Sequence, residues 1–384
     1  MKVLIFPNDP LLSYFKKGEL KEKYFNPNNI FDEIHFVTFT DNECKIDEIK
    51  ITLGKAKGII HTFPPLTIFD YFFPIYRINK IYSKISNYKF DVVRAFNPIV
   101  HGYIAGNISK KLSLPFIISI HTNYDLDIRY QYKKNKDIRF FKYLLTKYTT
   151  EKQTLKMATH IIAKYNFISK FVLNNGVEKN KVSTIYNRVH LNIFRPKAKQ
   201  ITNKLKVICV GNLIEGKGQR TLLKAMKKIN KAISLTLVGD GEDYNLLKKM
   251  VTDLNLNERV KFTRSVPNYK LASLYQEHDI FAQPNKYGGF PIPALEATAC
   301  GLALVMPRPI HENSPEFTGE YAEVVENTPE GFAKGINKIA ADILLRQEMI
   351  AKGLNIISKY NGDVMELKES KLYKNTIRNY KVSL

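Results

Sequence analysis

Two short stretches of the sequence combine small residues with one charged side chain in a way that could do chemistry. In VGNLIEGKGQ (residues 210–219), Lys217 stands between two glycines after an apolar run. Backbone N–H groups exposed at such a turn, together with a lysine, favour phosphate binding. In IPALEATACG (residues 292–301), Glu296 stands alone in a short helical pattern, and its carboxylate suits the vicinal hydroxyls of a ribose. Together the two stretches predict a site for a nucleoside diphosphate.

The glycine-rich loop resembles the phosphate loop of nucleotide hydrolases but departs from it at one position. Gly211, four further residues, Gly216 and Lys217 follow the pattern. Gly218 then stands where a serine or threonine would have to hold magnesium. The missing hydroxyl disfavours an ATPase and favours a loop that binds phosphate without hydrolysing it.

Two more residues become candidates because they follow strand-like runs. Gly239 follows SLTLV, and His121 ends PFIISIH. Each is a weak signal alone, since many strand-to-helix turns contain glycine and a lone histidine after a strand is more often structural. Ligands of open parallel sheets bind beyond the carboxyl ends of the strands, and that position makes both residues candidates.

The rest of the pattern predicts the elements that would position these residues. Short apolar runs alternate with helix-length segments, which predicts parallel strands joined by crossover helices. The polar stretch 197–204 is the best linker candidate, so we expect two doubly wound, Rossmann-like α/β domains, residues 1–198 and 199–365, facing across a cleft. The predicted strands are 2–6, 33–39, 58–60, 90–96, 115–121, 159–165, 182–187, 206–211, 234–239, 259–263, 279–284 and 302–306.

Composition narrows the class of protein. The 384 residues are 44% hydrophobic, yet no apolar run reaches the roughly 18 residues that span a bilayer. Three widely spaced cysteines give no metal or disulfide pattern and suit a reducing cytosol. The formal charge is +23 and uneven: residues 1–200 hold 33 Lys and Arg against 16 acids, and residues 201–384 hold 26 against 20. A basic first half fits an anionic partner or an AT-rich genome's lysine bias.

Several motifs occur in the order of one enzyme family. VGNLIEGKGQRTLLKAM, LTLVGDGEDYNLL and GGFPIPALEATACGLALV, with a strand–helix–strand segment ending in HTN, resemble the family-4 glycosyltransferases of the GT-B fold over essentially the whole chain. The resemblance implies transfer of a hexosyl group from a UDP- or GDP-linked sugar, with retention of anomeric configuration and neither metal nor cofactor. It also implies that the last helix, 366–384, packs back on the N-terminal domain, which would bind the acceptor.

Carried over residue by residue, the resemblance implies roles for individual side chains. Lys217 would bind the diphosphate, and His121 would sit at the face of the transferred sugar, which makes these two the catalytic candidates. Glu296 matches the second glutamate of the family's Glu-x7-Glu motif and would bind the ribose. The other donor-binding candidates are Gly211, Asn212, Gly239, Val266, Gly289, Phe290, Pro291 and Ile292.

The chain departs from the family pattern at four places. Gly288 stands where the first glutamate of the motif, which contacts the transferred sugar, would be. Asn212 replaces a usual arginine, and Arg264 replaces a usual glycine. The loop FPNDP lacks the glycine pair common after the first strand. The expected diphosphate and ribose ligands are therefore present, whereas the ligand of the sugar is altered.

Three alternatives to a transferase remain open at this point. The first is a catalytically degenerate GT-B subunit that binds nucleotide and supports a partner enzyme, because of Gly288. The second is a nucleotide-sugar epimerase of the same fold, which would need further acids in the cleft. The third is a nucleic-acid-binding protein, for which charge is the sole support because no nucleic-acid-binding motif is present.

Two stretches of the basic half mix aromatic residues with cations. They are residues 63–84 and 129–148. Either could dock on an anionic leaflet and bring the site to a lipid-linked glycan acceptor, or each could be a core helix with a solvated basic face. We therefore expect a cytoplasmic enzyme of cell-envelope glycan biosynthesis, peripheral on the inner face of the cytoplasmic membrane, with no nucleic-acid partner.

Overall fold

The computed structural model describes residues 1–17, 20–198, 204–285, 291–308 and 320–383. The chain divides into two units: unit 1 comprises Met1–Tyr186 and Met365–Leu384, and unit 2 comprises Asn187–Val364. The division precedes the boundary suggested by the sequence at residue 198. The reason is that the intervening segment contacts unit 2: the Arg195 carbonyl accepts a hydrogen bond from Gln276 Nε2 at 2.8 Å, and the Phe194 ring packs on Tyr275.

Unit 1 is built on a parallel sheet of seven strands. They are β1 (Lys2–Phe6), β2 (Glu33–Phe39), β3 (Lys57–Phe63), β4 (Val92–Ala95), β5 (Phe116–Ile120), β6 (His160–Ala163) and β7 (Val182–Thr184). Their spatial order is β3-β2-β1-β4-β5-β6-β7. The order reverses between β1 and β4, which makes the loops after these strands and the neighbouring β5 the expected place for a ligand.

Helices connect the strands of unit 1. They are α1 (Leu11–Lys17), α2 (Ile68–Phe72), α3 (Pro74–Ile85), α4 (Val100–Leu112), α5 (Tyr130–Lys134), α6 (Arg139–Thr146), α7 (Lys152–Met157) and α8 (Asn166–Asn174). Two π-helical turns, Tyr124–Arg129 and Lys147–Glu151, extend α5 and α6, and 3₁₀ turns span Pro27–Asn29, Ile46–Leu53 and Lys179–Lys181. In the described ranges, no helix combines the length and apolarity needed to cross a membrane.

Unit 2 repeats the architecture with six parallel strands. They are β8 (Lys206–Val210), β9 (Ser234–Val238), β10 (Val260–Thr263), β11 (Ile280–Ala282), β12 (Ala303–Pro307) and β13 (Ala322–Val325), in the spatial order β10-β9-β8-β11-β12-β13. Its helices are α9 (Gln219–Ala225), α10 (Tyr244–Asp253), α11 (Asn268–Gln276), α12 (Ile292–Ala299), α13 (Pro329–Ala341) and α14 (Ile343–Ile357), with 3₁₀ turns Glu215–Lys217 and Ser358–Tyr360. Here the order reverses between β8 and β11.

The strands form because their apolar runs are covered on both faces. All five residues of β5 are buried, and every predicted strand is present within a few residues of its expected bounds. The sequence missed β13, whose AEVV is short and half-buried at the sheet edge. The doubly wound α/β fold is therefore confirmed in both units.

The last helix, α15 (Gly362–Ser383), contributes to the core of unit 1. Met365, Tyr373 and Ile377 belong to the same apolar cluster as residues of β1 and β2. The Tyr373 ring packs edge-on against Phe31, with centroids 5.1 Å apart. The chain thus returns to its first unit for its final turns.

Candidate functional site

Lys217 lies at the carboxyl end of β8, at the strand-order reversal of unit 2. It ends the 3₁₀ turn Glu215–Lys217, and its Cδ lies 4.0 Å from the place that a Cβ on Gly211 would occupy. Burial raises the pKa of the Cys209 thiol to about 12, and the positive charge of Lys217 partly opposes that rise. The half-buried lysine therefore folds back over the start of its own loop, between β8 and α9.

Two glycines of this region let neighbouring loops touch through their backbones. Gly218 has φ +74°, and a Cβ there would lie 2.0 Å from the carbonyl oxygen of Pro284. Gly239 has φ +141°, and a Cβ there would lie 2.2 Å from the carbonyl oxygen of Gly211. The sequence placed Gly218 in the expected phosphate-binding loop and made Gly239 a donor-binding candidate. The structure gives them another requirement, because they bring the loops after β8, β9 and β11 into contact.

Amide side chains around the same loop leave buried oxygens without partners. Gln283 is fully buried and donates from Nε2 to the Val210 carbonyl at 3.0 Å, and Gln219 donates to the Asn212 carbonyl at 3.0 Å. Among the described residues, neither Oε1 atom has a hydrogen-bond partner, nor has Oδ1 of Asn285. A buried unpaired acceptor costs about 1–3 kcal/mol. Hydroxyl or amide donors of a bound molecule would remove that cost.

Glu296 is buried in α12 and held by two side chains of α11. Its side chain is 2% exposed; Oε1 accepts from Asn268 Nδ2 at 2.9 Å, and Oε2 accepts from the Tyr275 hydroxyl at 3.3 Å. Burial, and then the Glu296 charge, raise the pKa of Tyr275 well above its usual value. A carboxylate can accept about four hydrogen bonds, so these contacts orient Glu296 and are compatible with ligand hydroxyls.

The remaining donor-side candidates lie on loops that converge here. Asn212 is exposed on the loop after β8, and Val266 is half-buried just before α11. Pro291 is the N-cap of α12, and Ile292 is its first residue; both are half-buried. The other predicted positions, Gly288, Gly289 and Phe290, lie outside the described residues.

Arginines join the loops of this edge. Arg220 donates to both carboxylate oxygens of Asp243, at 3.1 and 2.6 Å. Arg264, which stands where glycine is usual, pairs with Asp240 at 3.0 Å, and its guanidinium carbon lies 4.0 Å from the centroid of the Tyr244 ring. Arg264 therefore ties the loop after β10 to the loop after β9.

His121 directly follows β5 in unit 1. Burial, then the charges of Lys164 and Arg94, lower its pKa to about 3, so the imidazole is neutral at physiological pH. Its Nε2 atom is buried and has no hydrogen-bond partner in the described part of the chain. The ring lies 5.9 Å from that of Phe96.

A buried charge cluster lies behind His121. Arg94 of β4 and Glu369 of α15 are each 2% exposed and pair at 2.7 Å, and Lys164 lies 3.9 Å from the other Glu369 oxygen. Arg94 also donates to the Ser119 hydroxyl at 3.1 Å, and its guanidinium lies over the Phe96 ring at 4.4 Å. The C-terminal helix thus supplies the acid that balances the cations around the histidine.

Protein-family models match the two halves of the chain. The model described as Glycosyltransferase Family 4 matches residues 32–192, and the model described as Glycosyl transferases group 1 matches residues 192–355. Together the two models cover residues 32–355, which is most of the chain. The chain is a family-4 glycosyltransferase with the GT-B fold.

Relatives of this glycosyltransferase carry the same class of activity in their names. An uncharacterized glycosyltransferase of Methanocaldococcus jannaschii is 26% identical over 89% of this chain and 86% of its own length. The GDP-mannose-dependent α-(1-6)-phosphatidylinositol monomannoside mannosyltransferase of Mycolicibacterium smegmatis is 31% identical, over 32% of this chain and 35% of its own. The general activity is therefore glycosyl transfer.

Solved structures show the fold of this glycosyltransferase. Sucrose-phosphate synthase of Thermosynechococcus elongatus matches with a TM-score of 0.77 at 16% identity, over 99% of this chain and 100% of that one. Anabaena HepE in complex with UDP-glucose matches with a TM-score of 0.67 at 16% identity, over the full length of both chains. The predicted GT-B fold is confirmed.

Sequence reasoning missed several polar residues of the glycosyltransferase. Asn268 and Tyr275 hold Glu296, Gln283 lies beside Gly211, and Glu369 pairs with Arg94. One signal was present: AQPN places amides directly after the apolar run of β11. The other contacts join elements distant in sequence and left no local pattern. In the described residues, no group of three His, Cys, Asp or Glu side chains is placed to hold a metal ion.

Proposed function

We propose that the protein transfers a hexosyl group from a UDP- or GDP-linked sugar to a glycan or lipid-linked acceptor, with retention of configuration and without a metal. One observation carries the proposal. At the strand-order reversal of unit 2, Lys217 folds over Gly211 beside the fully buried Gln283, whose amide oxygen lacks a partner. A positive charge next to unsatisfied acceptors suits a ligand that is both anionic and rich in hydroxyl groups.

The donor would lie along the carboxyl ends of β8 and β11. Lys217 would bind the diphosphate, and Glu296, held in place by Asn268 and Tyr275, would accept hydrogen bonds from the ribose hydroxyls. The other donor-binding candidates would line the rest of the donor with their backbone. They are Gly211, Asn212, Gly239, Val266, Gly289, Phe290, Pro291 and Ile292.

The reaction breaks the bond between the anomeric carbon and the diphosphate oxygen, which keeps the electron pair. Lys217 would stabilise the negative charge that develops there, an effect of about 3–4 kcal/mol for one well-placed donor. We assign this role to a side chain because α9 has seven residues and a short helix contributes a small dipole. The acceptor hydroxyl forms the new bond on the face that the diphosphate leaves, and its proton leaves with the diphosphate or to water.

His121 would contact the transferred sugar from unit 1. Its imidazole is neutral, and its buried Nε2 lacks a partner, so it can exchange a hydrogen bond with a sugar hydroxyl at no cost of breaking an existing one. A neutral ring also avoids repulsion of the positive charge that builds on the sugar as the bond breaks.

The names of relatives support a nucleotide-sugar donor without deciding the base. HepE was solved with UDP-glucose, and the mycobacterial mannosyltransferase depends on GDP-mannose. Acceptors named among relatives include phosphatidylinositol mannoside and an O-antigen chain. The three cysteines are buried and form no disulfide, which fits the cytoplasmic location that we propose.

The test is a transfer assay with the purified chain, a panel of UDP- and GDP-sugars and lipid-extract acceptors. We expect one donor to be consumed only with acceptor, a product with the donor's anomeric configuration by NMR, and an unchanged rate with EDTA. Donor binding without any transfer would favour the degenerate subunit. Conversion of the donor sugar without acceptor would favour an epimerase. An inverted product or loss of rate with EDTA would contradict the proposed mechanism.

A further inference from the structure

Exposed apolar side chains concentrate on two segments of unit 1. Of the twenty large apolar residues exposed in the described chain, ten lie in residues 68–76 and 130–148. Soluble surfaces scatter such residues singly, and a contiguous group marks an interaction site.

The first segment comprises α2 and the start of α3. Its apolar side chains are 57–76% exposed: Ile68, Phe69, Phe73, Ile75 and Tyr76. Its buried side is polar, because Asp70 accepts two hydrogen bonds of 2.9 Å from Arg77 and caps the segment at the Thr67 N–H. The ion pair fixes the charged groups inside and leaves the apolar side chains outside.

The second segment, around α6, has the same reversed polarity. Ile138, Phe141, Leu145 and Tyr148 are spaced as one helical face and are 43–81% exposed. On the buried side, Arg129 pairs with Glu151, which is fully buried, at 2.5 Å and donates to the Tyr143 carbonyl at 2.7 Å. The apolar face is therefore directed to solvent by ionic contacts beneath the helix.

The two segments form one surface. The ammonium of Lys142 on α6 lies 4.1 Å from the centroid of the Tyr71 ring on α2. The segments follow β3 and β5, so the surface continues from the carboxyl edge of the sheet that carries His121. We call the exposed apolar residues of both segments the outer apolar surface.

The outer apolar surface is set in positive charge. Residues 129–148 contain seven Lys and Arg against one acid, and residues 63–84 contain three against one. The one acid of each segment is paired: Asp137 with Arg139, and Asp70 with Arg77. Lys133, Lys134 and Lys136 remain exposed beside the apolar face. Aromatic and aliphatic side chains bordered by lysines match the interface of an anionic bilayer.

We propose that the outer apolar surface docks unit 1 on an anionic lipid leaflet, with its apolar side chains in the headgroup–acyl boundary and its lysines against lipid phosphates. A second copy of the chain fits less well, because it would bring two basic clusters face to face. Under the proposed function, on which this last step rests, docking would present the edge with His121 to a lipid-linked acceptor.

The test is co-sedimentation of the full chain with vesicles of phosphatidylcholine alone or mixed with phosphatidylglycerol. We expect binding to the mixed vesicles that weakens with salt. The double variant Phe69→Ser/Phe141→Ser should lower the partition constant by about tenfold or more. The matched double variant Leu246→Ser/Leu344→Ser, which removes two exposed leucines of unit 2, should bind as the parent does.

Charge is tested by replacing Lys133, Lys134 and Lys136 together with glutamine, which should remove most of the salt dependence. Equal binding to both vesicle types, no binding at low salt, or self-association lost in the Phe69→Ser/Phe141→Ser variant would each overturn the proposal. Donor binding, followed by thermal stabilisation, should be unchanged in all these variants. The membrane result and the proposed function can therefore fail separately.

Discussion

The two sheet edges that carry the candidate residues differ in how their buried polar and charged groups are paired. At the β8/β11 edge of unit 2, buried amide oxygens of Gln219 and Gln283 lack partners, and Lys217 is half-buried beside them. At the β5 edge of unit 1, Arg94 and Glu369 neutralise each other behind His121. In the described residues both edges keep buried polar atoms without a partner: amide oxygens in unit 2, and in unit 1 Nε2 of His121 and two guanidinium nitrogens of Arg94. The difference is that the charge in unit 1 has its counter-charge within the chain, supplied by the last helix.

This difference separates binding from positioning. A complex is stabilised when a hydrogen-bond donor of the ligand reaches an unpaired buried acceptor. The edge of unit 2 therefore suits strong binding of a nucleotide. The Arg94–Glu369 pair of unit 1 carries its own counter-charge, so it fixes the surroundings of His121, whose Nε2 is left for a ligand. The contrast predicts that changes in unit 1 affect stability and pH dependence, whereas changes in unit 2 affect donor affinity.

The largest effect on stability should come from Glu369→Gln. It leaves the buried Arg94 without its counter-charge, and breaking such a pair costs about 3–5 kcal/mol. Hydrogen exchange read by mass spectrometry should show this loss in the peptides of unit 1. Lys371→Gln, an exposed change on the same helix, is the control. A loss below about 1 kcal/mol in Glu369→Gln would show that the cluster does not hold α15 in place.

Glu296→Gln should weaken donor binding while leaving the fold intact. Hydrogen bonds to a charged group are worth about 1.5–3 kcal/mol, so we expect a tenfold to hundredfold rise in the dissociation constant by calorimetry. Glu277→Gln is the matched control, since it removes an exposed carboxylate at the end of α11, and it should bind the donor as the parent does. Equal affinity of Glu296→Gln and the parent would remove the ribose assignment.

The smallest effect concerns pH. Burial and then Lys164 lower the pKa of His121 to about 3, so we expect kcat/KM to show no His121 titration between about pH 5 and 8. Lys164→Met removes a positive charge, which raises the pKa of His121. The loss of rate that protonation of His121 causes in acid should therefore begin at a higher pH in this variant. The exposed change Lys156→Met should leave the profile in place. An unshifted profile in Lys164→Met would show that the transfer rate does not depend on the charge state of His121.

The sequence predicted the sheets well because parallel strands are apolar on both faces. FIISI of β5 and KVLIF of β1 need no partner to be recognised, whereas the AEVV of β13 reads as a loop. Lys217 and Glu296 became candidates because a charge among small residues is locally conspicuous, and their roles stay predictions. Asn268, Gln283 and Glu369 were missed because their roles depend on contacts across the fold.

The basic aromatic segments show a second limit of sequence patterns. The spacing of Ile138, Phe141, Leu145 and Tyr148 fits a buried helix face as well as a docking face. The structure excludes the buried alternative, since all four side chains are exposed. The Arg129–Glu151 ion pair keeps the polar side of this helix inward, and its two partners are far apart in sequence.

The most direct test of the donor site is the comparison of Lys217→Ala with Lys224→Ala. Lys217 ends the loop at the strand-order reversal, whereas Lys224 is exposed on α9, so the pair separates a site charge from a surface charge. We predict that Lys217→Ala lowers kcat/KM for sugar transfer by about 100- to 1000-fold, with unchanged thermal unfolding, and that Lys224→Ala transfers as the parent does. Near-parental transfer by Lys217→Ala would contradict the account.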